Sequence, residues 1–371
     1  MIKRIFYILV SLFLLLPSFA KEDRTIILPS QIGVVKEVNF IDMPDESFAQ
    51  VKQSAKIKLL SGDFKNEEVE LDNMLTGNPY YDINLRTGMK VILHAEDNGN
   101  GVEYSIADIK RSNVLVLLCL IFCGLLIYVG RKKGIASLAS IALTVILITH
   151  VLSPLILWGI NPVIAASIVC ILSTIATMYL VGGANAKSTS AVAGTLLSIV
   201  FAGILAFITI KLAHLTGFAG ENSLFLYSAQ PQLNFVLLTI AAIMLATLGA
   251  VMDVSMSISS TINELLETDN NLSVKALFLS GMNVGRDIIG TMANTLILVY
   301  IGGALPLLLL ANNIDMQKFV NLNQVVTEIA AALIGSISLV LCVPITAIVA
   351  SYLIKKLHNK NSDIEVNINC V

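Results

Sequence analysis

Apolar positions follow two rhythms along this chain. Before Ser112 they alternate with polar ones over short stretches. After Asn113 they run on for some twenty residues at a time. Alternation is clearest at Ala55-Lys56-Ile57-Lys58-Leu59 and at Glu68-Val69-Glu70-Leu71-Asp72, the period of a strand with one buried face. Runs at 25–28, 33–40, 55–60, 67–72, 89–94 and 102–109 read as strands. Turn chemistry separates them at Ser61-Gly62-Asp63, Thr76-Gly77-Asn78-Pro79, Thr87-Gly88 and Asp97-Asn98-Gly99-Asn100-Gly101. Five or six short strands in about 90 residues predict a small barrel or sandwich, OB-like in type.

Seven apolar runs follow, at about 113–130, 135–157, 161–182, 190–211, 232–253, 288–311 and 326–354. Each is long enough to cross a bilayer. The fold class expected is a polytopic α-helical membrane protein of seven transmembrane helices, preceded by the small β domain. At the N-terminus a basic Met1-Ile2-Lys3-Arg4, an apolar stretch to Leu16 and small residues at Ser18-Phe19-Ala20 have the layout of a secretory signal. An uncleaved anchor is the other reading, and would make eight helices. The domains expected are 1–20 signal or anchor, 21–112 exported β-rich domain, 113–356 helical bundle and 357–371 cytoplasmic tail.

Composition sharpens the class. The 371 residues are 56% hydrophobic and 13% charged, about half the charge density of a soluble domain. That excludes an ordinary cytoplasmic globular protein, and the hydrophobicity excludes a disordered chain. The net charge of −2 supplies no field to attract nucleic acid. Cys119, Cys123, Cys170 and Cys342 lie in apolar runs and Cys370 in the tail, so no disulfide framework holds the β domain. That domain carries 16 of the 26 acidic groups and 11 of the 24 basic ones.

If the first run enters from outside, one side collects Arg131, Lys132, Lys133, Lys187, Lys275, Arg286, Lys355, Lys356 and Lys360. The other collects only Lys211 and Lys318. The bias predicts a C-terminus in the cytoplasm of a bacterial cell and residues 21–112 outside.

Two polar stripes interrupt the apolar pattern. Gly249, Asp253, Ser257, Ser260 and Glu264 follow each other at steps of three or four, and Asp287, Gly290, Thr291, Asn294 and Thr295 stand at i, i+3, i+4, i+7 and i+8. Each set falls on one helix face. Hydrocarbon penalises such a face, so each should meet protein or water. Asp253, Ser257, Thr291 and Asn294 are candidates for an ion-coupling or substrate path. Glu264, Arg286 and Asp287 are structural or secondary candidates, Asp287 as the carboxylate that begins a helix beside Arg286. The competing reading puts Asp253 too at the membrane interface, as a cap or ion-pair partner.

Enzyme signatures are absent. There is no HExxH, no CxxC pair, no GxxxxGK[ST] and no GxSxG, so no catalytic residue, cofactor or metal is expected.

The segment Gly249-Ala-Val-Met-Asp253-Val-Ser-Met-Ser-Ile-Ser-Ser-Thr-Ile-Asn-Glu264-Leu resembles the YibE/F-like family of bacterial membrane proteins. So does Ser280-Gly281-Met-Asn-Val-Gly285-Arg286-Asp287-Ile-Ile-Gly290-Thr291-Met-Ala-Asn294-Thr295, and so does Gly77-Asn78-Pro79-Tyr80-Tyr81-Asp82 in the β domain. The resemblance covers essentially the whole chain and implies an exported domain followed by a helical bundle, with the activity open. A shorter likeness links Gly249-xxx-Asp253, Ile258, Ile262 and Glu264 to the intramembrane aspartate helix of SecD-type export subunits.

Two functions fit. One is a gradient-driven secondary transporter or export-assisting protein, whose coupling group is an intramembrane carboxylate. The other is a membrane scaffold or sensor whose exported domain binds a partner. Seven helices exceed what anchoring needs, which favours the first. The expected partners are membrane lipids and an unknown small solute or exported partner, with a second copy of the chain as a candidate and nucleic acid excluded.

Overall fold

The computed structural model describes residues 27–42, 51–62, 64–97 and 102–369. The N-terminal signal or anchor segment, the first residues of the strand expected at 25–28 and Cys370 lie outside them. The chain divides into two compact units between Phe122 and Cys123.

The first unit holds five antiparallel strands, β1 (Ile27–Asp42), β2 (Val51–Leu59), β3 (Glu68–Leu75), β4 (Lys90–Asp97) and β5 (Val102–Ile109), in the order β3-β2-β1-β4-β5. The long β1 pairs with β4 through its first half and with β2 through its second. It joins the two runs expected at 25–28 and 33–40, with a register shift between Leu28 and Gln31. Alternation then does what the sequence predicts. Ala55, Ile57 and Leu59 are fully buried against Val35, Leu71, Leu85, Val91 and Leu93, while Lys56 between them is exposed. The buried Gln53 is satisfied on all sides. Its Nε2 donates to Asn84 Oδ1 (2.9 Å), and its Oε1 accepts from Asn73 Nδ2 (2.9 Å) and the Leu85 amide (3.0 Å). That ties the loop after β3 across the end of the sheet.

The second part is helical. In chain order it contains α1 (Ser112–Leu147), a wide turn at Ile148–Leu152 leading into α2 (Ser153–Leu157), α3 (Pro162–Gly182), α4 (Ala186–Leu212), α5 (Glu221–Ala229), α6 (Phe235–Thr268), α7 (Val274–Gly303), α8 (Leu305–Leu310), α9 (Met316–Val320) and α10 (Asn323–Asn369). Among the described residues six helical segments are long and apolar enough to cross a membrane. The first of them, Ser112–Leu157, contains the two runs expected at 113–130 and 135–157. They are separated by a break at Arg131, whose φ is 48° and ψ −126°. A Cβ on Gly134 would overlap the carbonyl of Leu126, which a straight helix holds about 12 Å away. The chain therefore turns back on itself at this point.

Helix starts are written in the sequence. The side chains of Asn161, Asn185, Asn234 and Ser273 accept from the amides of Val163, Ser188, Leu237 and Ala276 (2.8–3.2 Å), as N-caps do. Helices α4, α6 and α10 form the centre, with α3 and α7 packed against them. Val251, Val254, Ile258 and Ile262 of α6 and Leu339, Val343, Ala347 and Ala350 of α10 are buried together. Ser255 Oγ, buried among them, lies 3.0 Å from Cys342 Sγ and 3.1 Å from Thr346 Oγ1.

Candidate functional site

The two ends of the bundle are fixed by hydrogen bonds from α10. At one end Asn323 accepts from the Thr216 amide (3.1 Å) and donates to the Phe218 carbonyl (2.6 Å). At the other Lys355 Nζ donates to the Asn270 carbonyl, in the connection between α6 and α7. The helical rise puts these ends about 48 Å apart, with Cys342 about 20 Å from Lys355 and about 29 Å from Asn323.

This scale locates the polar stripes. Cys342 Sγ contacts both Ser255 Oγ (3.0 Å) and the Val251 carbonyl (3.6 Å), so Asp253 lies at the level of Cys342. Gly285 packs against Val343 and Gly281 against Ile262, Ala347 and Ile258. Arg286 and Asp287 are therefore at nearly the same level, while Asn294 stands about 12 Å further toward the Asn323 end. Asp253 is thus level with Asp287 rather than with Asn294.

The reading of Asp287 as a helix-start carboxylate is corrected here. Helix α7 begins at Val274 with Ser273 as its cap, so Asp287 lies more than three turns inside. Nor does it pair with its neighbour. Arg286 Nη1 donates to Asn283 Oδ1 at 3.2 Å, and among the described residues Asp287 has no ion pair.

Both stripes face away from the packed side of their helices. On α6 the buried residues Val251, Val254, Ser255, Ile258, Ser259 and Ile262 define one face, and Gly249, Asp253, Ser257 and Glu264 are exposed on the opposite one. On α7 Leu277, Gly281 and Gly285 are buried, and Asp287, Gly290, Thr291, Asn294 and Thr295 are exposed. Hydroxyls on these faces are spent on their own helices. Ser257 Oγ donates to the Asp253 carbonyl (2.9 Å), Thr291 Oγ1 to the Ile288 carbonyl (3.0 Å) and Thr295 Oγ1 to the Thr291 carbonyl (2.9 Å). Ser260 Oγ lies 3.5 Å from Glu264 Oε1. No side chain among the described residues hydrogen-bonds the Asp253 carboxylate, the Asp287 carboxylate or the Asn294 amide. Helices α6 and α7 do pack on each other, but no hydrogen bond joins the two stripes among those residues.

In the β domain Asp82 closes a loop. Its Oδ1 accepts from the Thr76 amide (2.8 Å) and hydroxyl (3.0 Å), and its Oδ2 from the Gly77 amide (2.7 Å). The amide of Thr76, ahead of the other donors, holds the carboxyl below the usual carboxylate range. The loop displays Tyr80 and Tyr81, both 71% exposed and in edge contact at 4.8 Å. In the bundle, an apolar cavity of about 240 Å³ lies between α7 and α10, with Tyr300 and Glu328 in its lining. No group of three or more metal-ligating side chains occurs among the described residues.

A β domain followed by a set of long apolar helices, two of them carrying outward polar stripes, defines a membrane-integral protein. Residues 118–356 match the model of the YibE/F-like protein family, and residues 22–109 match that of the YibE/F family N-terminal domain. The chain belongs to the YibE/F-like family. No curated protein and no solved structure matches it.

Proposed function

We propose that this protein is a gradient-driven secondary transporter, or assists export in the same way, and that Asp253 exchanges the coupling proton or cation. One observation carries the reading. Among the described residues no side chain hydrogen-bonds the Asp253 carboxylate, which lies about 20 Å along the bundle from Lys355. A hydrocarbon layer of about 30 Å fitted between Lys355 and Asn323 includes that level. An aspartate there costs about 2.5–3.5 kcal/mol by insertion scales, and such a residue is by default a functional group. Asp287 at the same level, with Ser257 and Thr291, supplies the polar surroundings, and Asn294 extends the polar path outward.

On this reading the turn at Arg131 divides the first segment into two crossings, and the bundle counts seven. The basic residues then orient the C-terminus to the cytoplasm and residues 21–112 outside, in the cytoplasmic membrane of a bacterium. Catalysis has no part in this account. The ordered, exposed Tyr80-Tyr81 loop favours a binding role for the β domain alongside transport.

The test is transport itself. Protein in liposomes loaded with a pH-sensitive dye is given sodium, potassium and proton jumps with a panel of small solutes. The expected outcome is a signal from the wild type that Asp253→Asn lacks while inserting at equal abundance. Equal signals from the two proteins in every jump would remove Asp253 from the coupling role.

A further inference from the structure

We propose that the outward face of α7 is a contact between two copies of this chain, related by a two-fold axis along the membrane normal. Helix α7 is sparsely covered. Only 6% of its most apolar window is buried, against 39–50% for α3, α4, α6 and α10 and 0% for the first segment, Ser112–Leu157. What it leaves uncovered is the face that hydrocarbon penalises most. Asp287, Gly290, Thr291 and Asn294 are exposed, and the row continues outward through Leu298 (56% exposed) and Ile301 (45%). The helix is held on its other side, by Gly281 and Gly285 against α6 and α10.

The row is complementary to itself. Two copies inserted in the same direction and joined isologously present each residue to its own counterpart at equal depth. An asparagine amide both donates and accepts, so Asn294 can pair with Asn294 of the partner subunit. A carboxylate only accepts and needs a donor at its own depth, and the next residue in sequence supplies one. Among the described residues Arg286 makes no ion pair within its own copy, and it uses one donor on Asn283. Its remaining donors suit Asp287 of the partner subunit. Gly290 has nothing within 4 Å of where a Cβ would stand, which leaves room for a second helix to approach closely. A purely apolar neighbour would satisfy none of these groups.

The contact is read by cysteine cross-linking of the full chain in its membrane, with Cys119, Cys123 and Cys370 replaced by serine. Mild oxidation should convert Gly290→Cys, Asn294→Cys and Leu298→Cys to a species of twice the protein mass. Met292→Cys and Leu296→Cys, on the packed side, should stay monomeric. Asp287→Arg should lower the dimer fraction at least tenfold, and the double exchange of Arg286→Asp with Asp287→Arg should restore it. Dimers at every position alike, or at none, would overturn the proposal. So would an internal cross-link from Asn294→Cys in a second background that keeps Cys119 and Cys123, which would assign the face to this chain's own first helix. Photobleaching of the fluorescently tagged wild type in native lipid discs needs no variant to fold. Two steps per disc support the contact, and single steps throughout refute it.

Discussion

Gly285 of α7 sits so close to Val343 of α10 that a methyl group on the glycine would overlap the valine side chain. That contact sets the register of the two helices, and with it the level of Arg286 and Asp287 in the bundle. Gly285→Leu should therefore push α7 off α10, at a cost of about 1–3 kcal/mol. Gly302→Ala, in open space on the same helix, should stay within about 0.5 kcal/mol. Thermal unfolding of the two variants in detergent separates these outcomes, and equal melting would mean that the register is wrong.

The loop closed by Asp82 should loosen in acid. Its carboxyl titrates below the ordinary value because the folded loop donates hydrogen bonds to the ionised form. The stabilisation is therefore complete above the unfolded value of about 3.9 and is lost as pH falls through the still lower folded value. Hydrogen exchange of the Thr76 and Gly77 amides, corrected for intrinsic rates, should show protection at pH 6 that disappears near the bottom of the titration. Asp82→Ala should lack that protection at both pH values, and unchanged protection in the variant would refute the assignment.

Much of this architecture is legible in the sequence where one rhythm dominates. Ala55, Ile57 and Leu59 alternate and are buried in alternation. The stripes on α6 and α7 have helical spacing and share faces as expected. Legibility fails where two signals conflict. Pro29-Ser30 reads as an interruption, yet β1 continues through it with a shifted register, because pairing on both sides outweighs the local break. The start of α7 at Val274 is masked by Lys275, Asn283, Arg286 and Asp287, and α7 is the least apolar of the six long segments. An apolar run alone therefore begins at residue 288 and makes Asp287 look like a cap. Periodicity also says which residues share a face without saying what that face meets. Both stripes point away from the core for reasons of packing, set by Gly281, Gly285 and the buried row on α6.

Orientation is the next expectation to test. Reporter fusions after Arg131, Lys187, Lys275 and the C-terminus should report the cytoplasm, and fusions near Thr216 and Lys318 the outside. The hydrogen bonds of Lys355 to Asn270 and of Asn323 to Thr216 and Phe218 put Lys275 with the end of α10 on one side and Thr216 with Lys318 on the other. A C-terminal fusion active outside would reverse the orientation or change the number of crossings.

If Asp253 exchanges the coupling ion, its carboxylate changes state with that ion whatever the substrate is. Infrared difference spectra of the protein in lipid, exchanged between acid and neutral buffer and between sodium and its absence, read carboxyl groups directly. The wild type should show a carboxyl band that Asp253→Asn abolishes and Asp287→Asn retains. A spectrum unchanged by Asp253→Asn would contradict that exchange.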